Sequence, residues 1–376
     1  MDTATSLGRE WWLAVGLLLA PWLLTLCLGW PHHLGAGLIT GLALVPGLAL
    51  ALHLLHQLHR HFGGNHLLGE EERCFATLGA ANWITLLRGS GLVGLAGFFP
   101  LAVGQSAGLD GPLAWGPGLL YLGVSAADLL DGLVARRQGR ETELGKRLDI
   151  STDAAGLLVA SLLAVALGRL PAFYLLVGLA YYPFVIGLWF RRRQGLPVVA
   201  LRPRPYARIM AGFQMGLVGV ALLPVAARQL TTLAAIIFMT PLLAGFLRDW
   251  LVVSCRLPTD GDQQTPWDGW SAALWTRALP PLARLVLLGG AVASLSAASG
   301  GQRASAALCL LAGLGVMGRS VALALALLLG IEQNPAGATA SAMLLFGAVS
   351  LVMLTGTGKL SLWSPEEAVL YRRQRP

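Results

Sequence analysis

Four aspartates stand close together in the chain: Asp128, Asp131, Asp149 and Asp153. On helices, residues three or four apart share a face, so Asp128 pairs with Asp131 and Asp149 with Asp153. A short basic stretch with Arg136, Arg137, Arg140, Lys146 and Arg147 separates the two pairs. The flanking segments are apolar and can fold as an antiparallel hairpin, which brings the four carboxylates together at one end of two helices. A charged side chain facing hydrocarbon costs ~2.5–3.5 kcal/mol at mid-membrane and less near the interface, so such a cluster needs neutralising. Clustered carboxylate oxygens suit hard divalent cations such as Mg2+, and four of them could hold two. Gly132, Ala135 and Gly145 leave the wall beside the acids smooth, so that a flat ligand can approach the backbone. Arg136 adds a planar fork suited to phosphate oxygens. Cations, a phosphate fork and a smooth wall together point to phosphoryl chemistry on a nucleotide.

The elements that must carry these residues are membrane helices. Hydrophobic residues make up 55% of the 376 and charged residues only 12%, about half the ~25% usual in soluble domains. Mean hydropathy is +0.66. Apolar runs near 11–30, 34–57, 82–104, 113–136, 149–169, 171–190, 207–227 and 230–254 are each about the length that spans ~30 Å of hydrocarbon. More apolar sequence follows at 281–298, 304–331 and 337–356. The runs are continuous and do not alternate, which excludes a β-barrel. The expected fold class is therefore all-α and polytopic. The first run, after Arg9, is too long for a signal-peptide core and reads as a retained helix. Residues 304–331 hold Arg319 near their middle with Gly318 beside it, an arrangement that predicts two short helices with a turn at these residues, bringing Arg319 to the interface.

The net charge of +8 and pI of about 9.9 fit loops facing the cytoplasm and anionic lipid, not nucleic acid. Basic residues gather between the fourth and fifth runs and again at Arg191–Arg193 and Arg202–Arg208, which places those loops, and the acids beside the first of them, on the cytoplasmic side. Residues 58–81 turn polar, with His59-Arg60-His61 and Glu70-Glu71-Glu72-Arg73, and read as a helix lying on the membrane surface. His53, His56 and His59 recur every third residue as an interfacial polar stripe; the partners of a closed metal site are missing nearby. Cys27, Cys74, Cys255 and Cys309 form no CxxC pair and read as buried thiols. A polar, turn-rich linker falls at 257–280. The chain thus divides into two N-terminal helices (1–57), an interfacial segment (58–81), a core (82–256), the linker and a C-terminal region of three or four helices (281–376).

The stretch from Asp128 to Asp153 resembles the signature of the CDP-alcohol phosphatidyltransferase family, DxxDGxxAR-x8-GxxxDxxxD, at every fixed position and gap. Upstream, Asn82-Trp83-Ile84-Thr85-Leu86-Leu87-Arg88 is similar to that family's PNxxTxxR entry to its first core helix, with Ala81 in place of the proline. Downstream, Arg248-Asp249-Trp250-Leu251-Val252-Val253-Ser254 is similar to a stretch late in the family core. The resemblance covers 82–256 and implies six core helices. It implies an enzyme that moves a phosphatidyl group from a CDP-linked lipid such as CDP-diacylglycerol to an alcohol and releases CMP. By the same resemblance, Asp128, Asp131, Asp149 and Asp153 hold two Mg2+ or Mn2+ ions, and Asp153 takes the proton of the acceptor hydroxyl. Gly132, Ala135 and Gly145 then line the cytidine pocket, Arg136 holds the diphosphate, and Thr85 adds a contact to the nucleotide. Membrane homodimers are also implied.

Arg88 reads equally as a functional residue and as an interface cation. Arg208, Arg248 and Arg256 are candidates for an acceptor phosphate, beside the plainer reading as loop cations. The end of the chain, Gly356-Thr357-Gly358-Lys359-Leu360-Ser361-Leu362, resembles the end of DoxX-like membrane proteins. A transporter or channel with a carboxylate relay is the alternative function. Relay carboxylates sit near mid-span, whereas these fall toward helix ends beside a basic loop.

Overall fold

The computed structural model describes residues 3–33, 41–69, 74–104, 109, 111–201, 205–257, 274–294, 300–333, 337–356, 358 and 361–365. Among these, no strand occurs; the only ladder contacts are two isolated bridges. Two compact units form: Met1–Tyr181 with Gln214–Pro224, and Tyr182–Phe213 with Val225–Pro376.

In the first unit the helices are α1 (Thr3–His33), α2 (Val45–His61), α3 (Ala80–Ala96), α4 (Phe99–Gly104), α5 (Gly116–Arg137), α6 (Glu143–Ala166) and α7 (Leu175–Leu179). Helix α3 is the central post: α1, α2, α5 and α6 all pack on it. Glycines permit that approach. A Cβ at Gly91 of α3 would come within 2.6 Å of Val124 on α5, and one at Gly156 of α6 within 2.6 Å of Leu92 on α3. Thr142 caps α6, its hydroxyl accepting from the Gly145 N–H at 3.0 Å.

The interfacial segment differs from the expected surface helix. Helix α2 ends at His61, one 3-10 turn follows at Phe62–Gly64, and residues 65–69 and 74–79 are irregular. Cross-chain bonds displace the helix. The Asn65 side chain donates to the carbonyls of Phe75 (3.1 Å) and Thr77 (2.9 Å), and Leu67 bridges to Thr142. Arg140 donates to the Thr77 carbonyl and lies 4.0 Å over the Phe75 ring. The segment is thus tied to the α5–α6 loop. Glu70–Arg73 lie outside the described residues.

The second unit contains α8 (Tyr181–Arg193), α10 (Arg228–Val253), α11 (Leu279–Ser294), α12 (Gly300–Leu314), α13 (Gly318–Glu332) and α14 (Ala340–Thr355); α9 (Pro205–Leu222) begins in this unit and ends in the first. The expected 171–190 span is a bent pair, Ala172–Leu179 and Tyr181–Arg193, turned by 42°. The stretch 304–331 is two helices. The break falls at Gly315–Met317, slightly before the expected turn, with Gly315 and Met317 at φ 74 and 43. The Trp363 carbonyl accepts from the Met317 N–H at 2.7 Å, and the Trp363 N–H donates to the Gly315 carbonyl at 3.1 Å. Arg319 lies in the first turn of α13, buried among protein atoms, and donates to the Met353 carbonyl at 2.7 Å. Carbonyls in the last turn of a helix have no partner within it and carry partial negative charge, and Arg319 answers both at the end of α14. The linker falls mostly outside the described residues, as 258–273 do.

Among the described residues, five helices are long and apolar enough to cross a membrane, or six if the bent pair counts as one span. The chain is a multi-pass α-helical membrane protein. Helices α12 and α13, with 15 residues each, have the short length that a break within 304–331 requires, and α14, with 16, is shorter than the expected run 337–356. At 1.5 Å per residue these reach only about 23 Å. Of the cysteines, Cys309 alone is buried as expected; Cys27, Cys74 and Cys255 are exposed and free.

Candidate active site

Helices α5 and α6 bring their aspartates together as the hairpin reading requires. The four acids lie roughly two to three turns in from the loop that joins the helices, deeper than the helix ends expected for them. Asp131 is buried, while Asp128, Asp149 and Asp153 are partly open, so one side of the cluster is accessible. Asp128, Asp131 and Asp149 each offer a carboxylate oxygen, and these three oxygens lie within 4.8 Å of one another. That spacing and hard-oxygen donor set fit a divalent cation of the Mg2+ type. Asp153 stands outside this group of three.

The counter-charge comes from an unexpected place. The basic loop residues do not pair with the acids: Arg147 bonds Glu143 at 2.8 Å, and Arg136 is exposed. Arg88 of α3, with only 2% of its side chain exposed, enters the cluster instead. Its Nη1 donates to Asp131 Oδ2 at 2.6 Å and to Asp149 Oδ1 at 2.8 Å. Its Nη2 reaches Asp128 Oδ1 at 2.7 Å and Asp153 Oδ1 at 2.5 Å. Four acids thus meet one base, an imbalance that an ion pair serving stability alone would not have. The clue was in the sequence: Arg88 lies three residues after Thr85, one turn along the same helix, and is the one charged residue of that helix.

Thr85 is buried beside it, and its hydroxyl approaches Asp131 Oδ2 at 3.0 Å and the Ala81 carbonyl at 3.2 Å. Thr85, expected to touch a nucleotide, lies within hydrogen-bond reach of this carboxylate. For Gly145 the structure also supplies a different reason from the expected one. A Cβ there would meet Asn82 Oδ1 at 2.6 Å and Thr142 Oγ1 at 3.1 Å, so its smallness lets α3 approach the start of α6. Gly132 and Ala135 are half-buried on α5, as a pocket wall would be. Arg136 folds back one turn, and its Nη1 would lie 3.1 Å from a Cβ at Gly132.

Arg248 and Arg256 belong to the second unit, the former half-buried near the end of α10 and the latter exposed just past it; the Arg208 side chain is outside the described residues. Of the histidine stripe, His53 Nε2 bonds Ser151 Oγ at 2.9 Å, and the His59 ring meets Trp11 edge-on at 5.5 Å between centroids.

Comparison with known proteins matches residues 78–257 to the family model of CDP-alcohol phosphatidyltransferase, a span slightly wider than the expected 82–256. No curated protein and no solved structure matches the chain. The matched stretch contains Asn82, Thr85, Arg88 and all four aspartates, the residues whose side chains build the cluster. Residues 78–257 are a CDP-alcohol phosphatidyltransferase domain, of a family that transfers a substituted phosphate group from a CDP-alcohol.

Proposed function

We propose that the protein moves the phosphatidyl group of a CDP-linked lipid, CDP-diacylglycerol or a close relative, to the hydroxyl of a small alcohol and releases CMP. The observation that carries this reading is the convergence of four carboxylates from α5 and α6, three of them with oxygens within 4.8 Å. Asp128, Asp131 and Asp149, with Asp153 beside them, would hold divalent cations, Mg2+ or Mn2+. When bound, such cations neutralise the diphosphate and favour departure of CMP.

The protein's own groups do the rest. Asp153, outside the group of three, accepts the proton of the acceptor hydroxyl on a carboxylate oxygen. The alcohol oxygen then bonds to the lipid-side phosphorus as the bond from that phosphorus to the CMP oxygen breaks. Arg136, folded back over Gly132, offers its fork to the diphosphate, and Gly132 with Ala135 gives cytidine a flat surface. Gly145 is the third small residue assigned to that surface, and Thr85 adds a contact to the nucleotide. Arg208, Arg248 and Arg256 are the candidates for an acceptor phosphate. The site faces the cytoplasm, as the basic loop between α5 and α6 favours. A homodimer in the cell membrane is part of the same reading.

The test is direct. Purified protein in detergent is incubated with CDP-diacylglycerol, Mg2+ and a panel that includes glycerol 3-phosphate, inositol phosphate and serine. Acceptor-dependent CMP release that EDTA abolishes is expected; no release with any acceptor would overturn the reading.

A further inference from the structure

Arg88 is bonded in a way that a structural arginine is not. A guanidinium that serves stability usually meets one carboxylate side-on, two parallel N–H groups on two oxygens. Arg88 instead spends its two Nη atoms on one oxygen from each of four different residues, at 2.5–2.8 Å. Its Nε–H, buried with the rest, has no hydrogen-bond partner. A buried donor left unmade costs about 1–3 kcal/mol, so this placement is not the one that best satisfies arginine itself. It engages one oxygen each of Asp128, Asp131 and Asp149, the same three carboxylates whose spacing fits a divalent cation. Guanidinium and cation seek the same ligands, and their like charges exclude close coexistence there.

We propose that Arg88 is a place-holding cation: it gathers and neutralises the four carboxylates before loading and is displaced from them when a divalent cation and the donor's diphosphate bind. This rests on the function proposed above. Displacement has a consequence for order of binding. A buried guanidinium pushed off its carboxylates needs another anion, and the unspent Nε–H adds a donor for one. The diphosphate is the anion that the reaction brings. Arg88 therefore weakens cation binding to the empty site and ties tight binding to the presence of donor. It is a positioning residue whose effect shows in cation affinity, without turnover.

The experiment titrates full-length protein in detergent with Mn2+ and follows free Mn2+ by electron paramagnetic resonance, with and without CDP as a lipid-free diphosphate. Wild type is expected to bind Mn2+ weakly alone and more tightly with CDP. R88Q is expected to bind Mn2+ alone at least about tenfold more tightly than wild type, since a competing positive charge has been removed, and to gain less from CDP. An R88Q affinity equal to or weaker than wild type overturns the proposal. Should R88Q fail to fold, R88K decides, because one ammonium cannot reach four carboxylates: tighter Mn2+ binding than wild type supports displacement, and equal or weaker binding overturns it. Wild type that binds no Mn2+ even with CDP is a different failure, that of the cation site itself.

Discussion

The two units bury charge in opposite ways. In the first, four aspartates from α5 and α6 surround one arginine from α3, and the surplus of acid is left beside an accessible face. In the second, the helices α11–α14 close on an interior of Ala283, Leu287, Ala312, Ala322, Leu325, Val349 and Val352. The buried Arg319, in the first turn of α13, donates to the Met353 carbonyl at the end of α14. A buried donor met by a helix-end carbonyl suits a role in the fold; a surplus of carboxylates around one arginine calls for something that binds. The proposed chemistry therefore belongs to the first unit, whereas Arg319 fits the architecture of the second.

Substitutions can break this contrast from either side. The largest effect is expected from Asp149→Asn, which removes a cation ligand: CMP release should fall more than about a hundredfold while the detergent-solubilised protein keeps its helical circular dichroism. Activity close to wild type would return the cluster to a structural role. Next comes Asp153→Asn, where the expected loss in turnover is about 10²–10⁴-fold with donor binding retained. A parallel fall in donor binding and turnover would make Asp153 a ligand and not the base. Smaller still is Ala135→Leu, whose added bulk on the pocket wall should weaken CMP binding by roughly tenfold with little change in stability. Unchanged affinity would remove Ala135 from the pocket.

The smallest effect on chemistry is expected in the second unit. Arg319→Met leaves the Met353 carbonyl without its donor and should lower stability by about 1–3 kcal/mol, read as a reduced unfolding midpoint, with CMP release per folded molecule unchanged. A loss of activity without loss of stability would erase the difference between the units.

What could be read from residues alone followed from spacing. The periodicity of the four aspartates along two apolar segments was enough to place them on one hairpin, and the glycine and alanine positions marked the wall beside them. Contacts between distant segments were less legible. Arg88 lies 40 residues before Asp128 and 65 before Asp153, and nothing local says that α3 will present it to both partners. Thr85 and Gly145 were visible as a small polar residue and a glycine, but their reasons lie in Asp131 and Asn82 across a helix interface. The polar stretch after His61 looked helical because its charges suited a surface; bonds from Asn65 and Arg140 to carbonyls far along the chain hold it irregular. The break within 304–331 was legible because a glycine and a buried charge stood together, while its true position depends on Trp363.

The claim that the cluster performs phosphatidyl transfer, and does not merely relay ions, is tested most directly by following the phosphorus. CDP-diacylglycerol radiolabelled in its lipid-side phosphate is incubated with the protein, Mg2+ and the acceptor that releases most CMP. The label is expected in a new lipid-soluble product that also contains the acceptor, with none in CMP and no conversion by Asp149→Asn. Label that stays in the donor, or that leaves as a water-soluble phosphate without joining the acceptor, would contradict transfer.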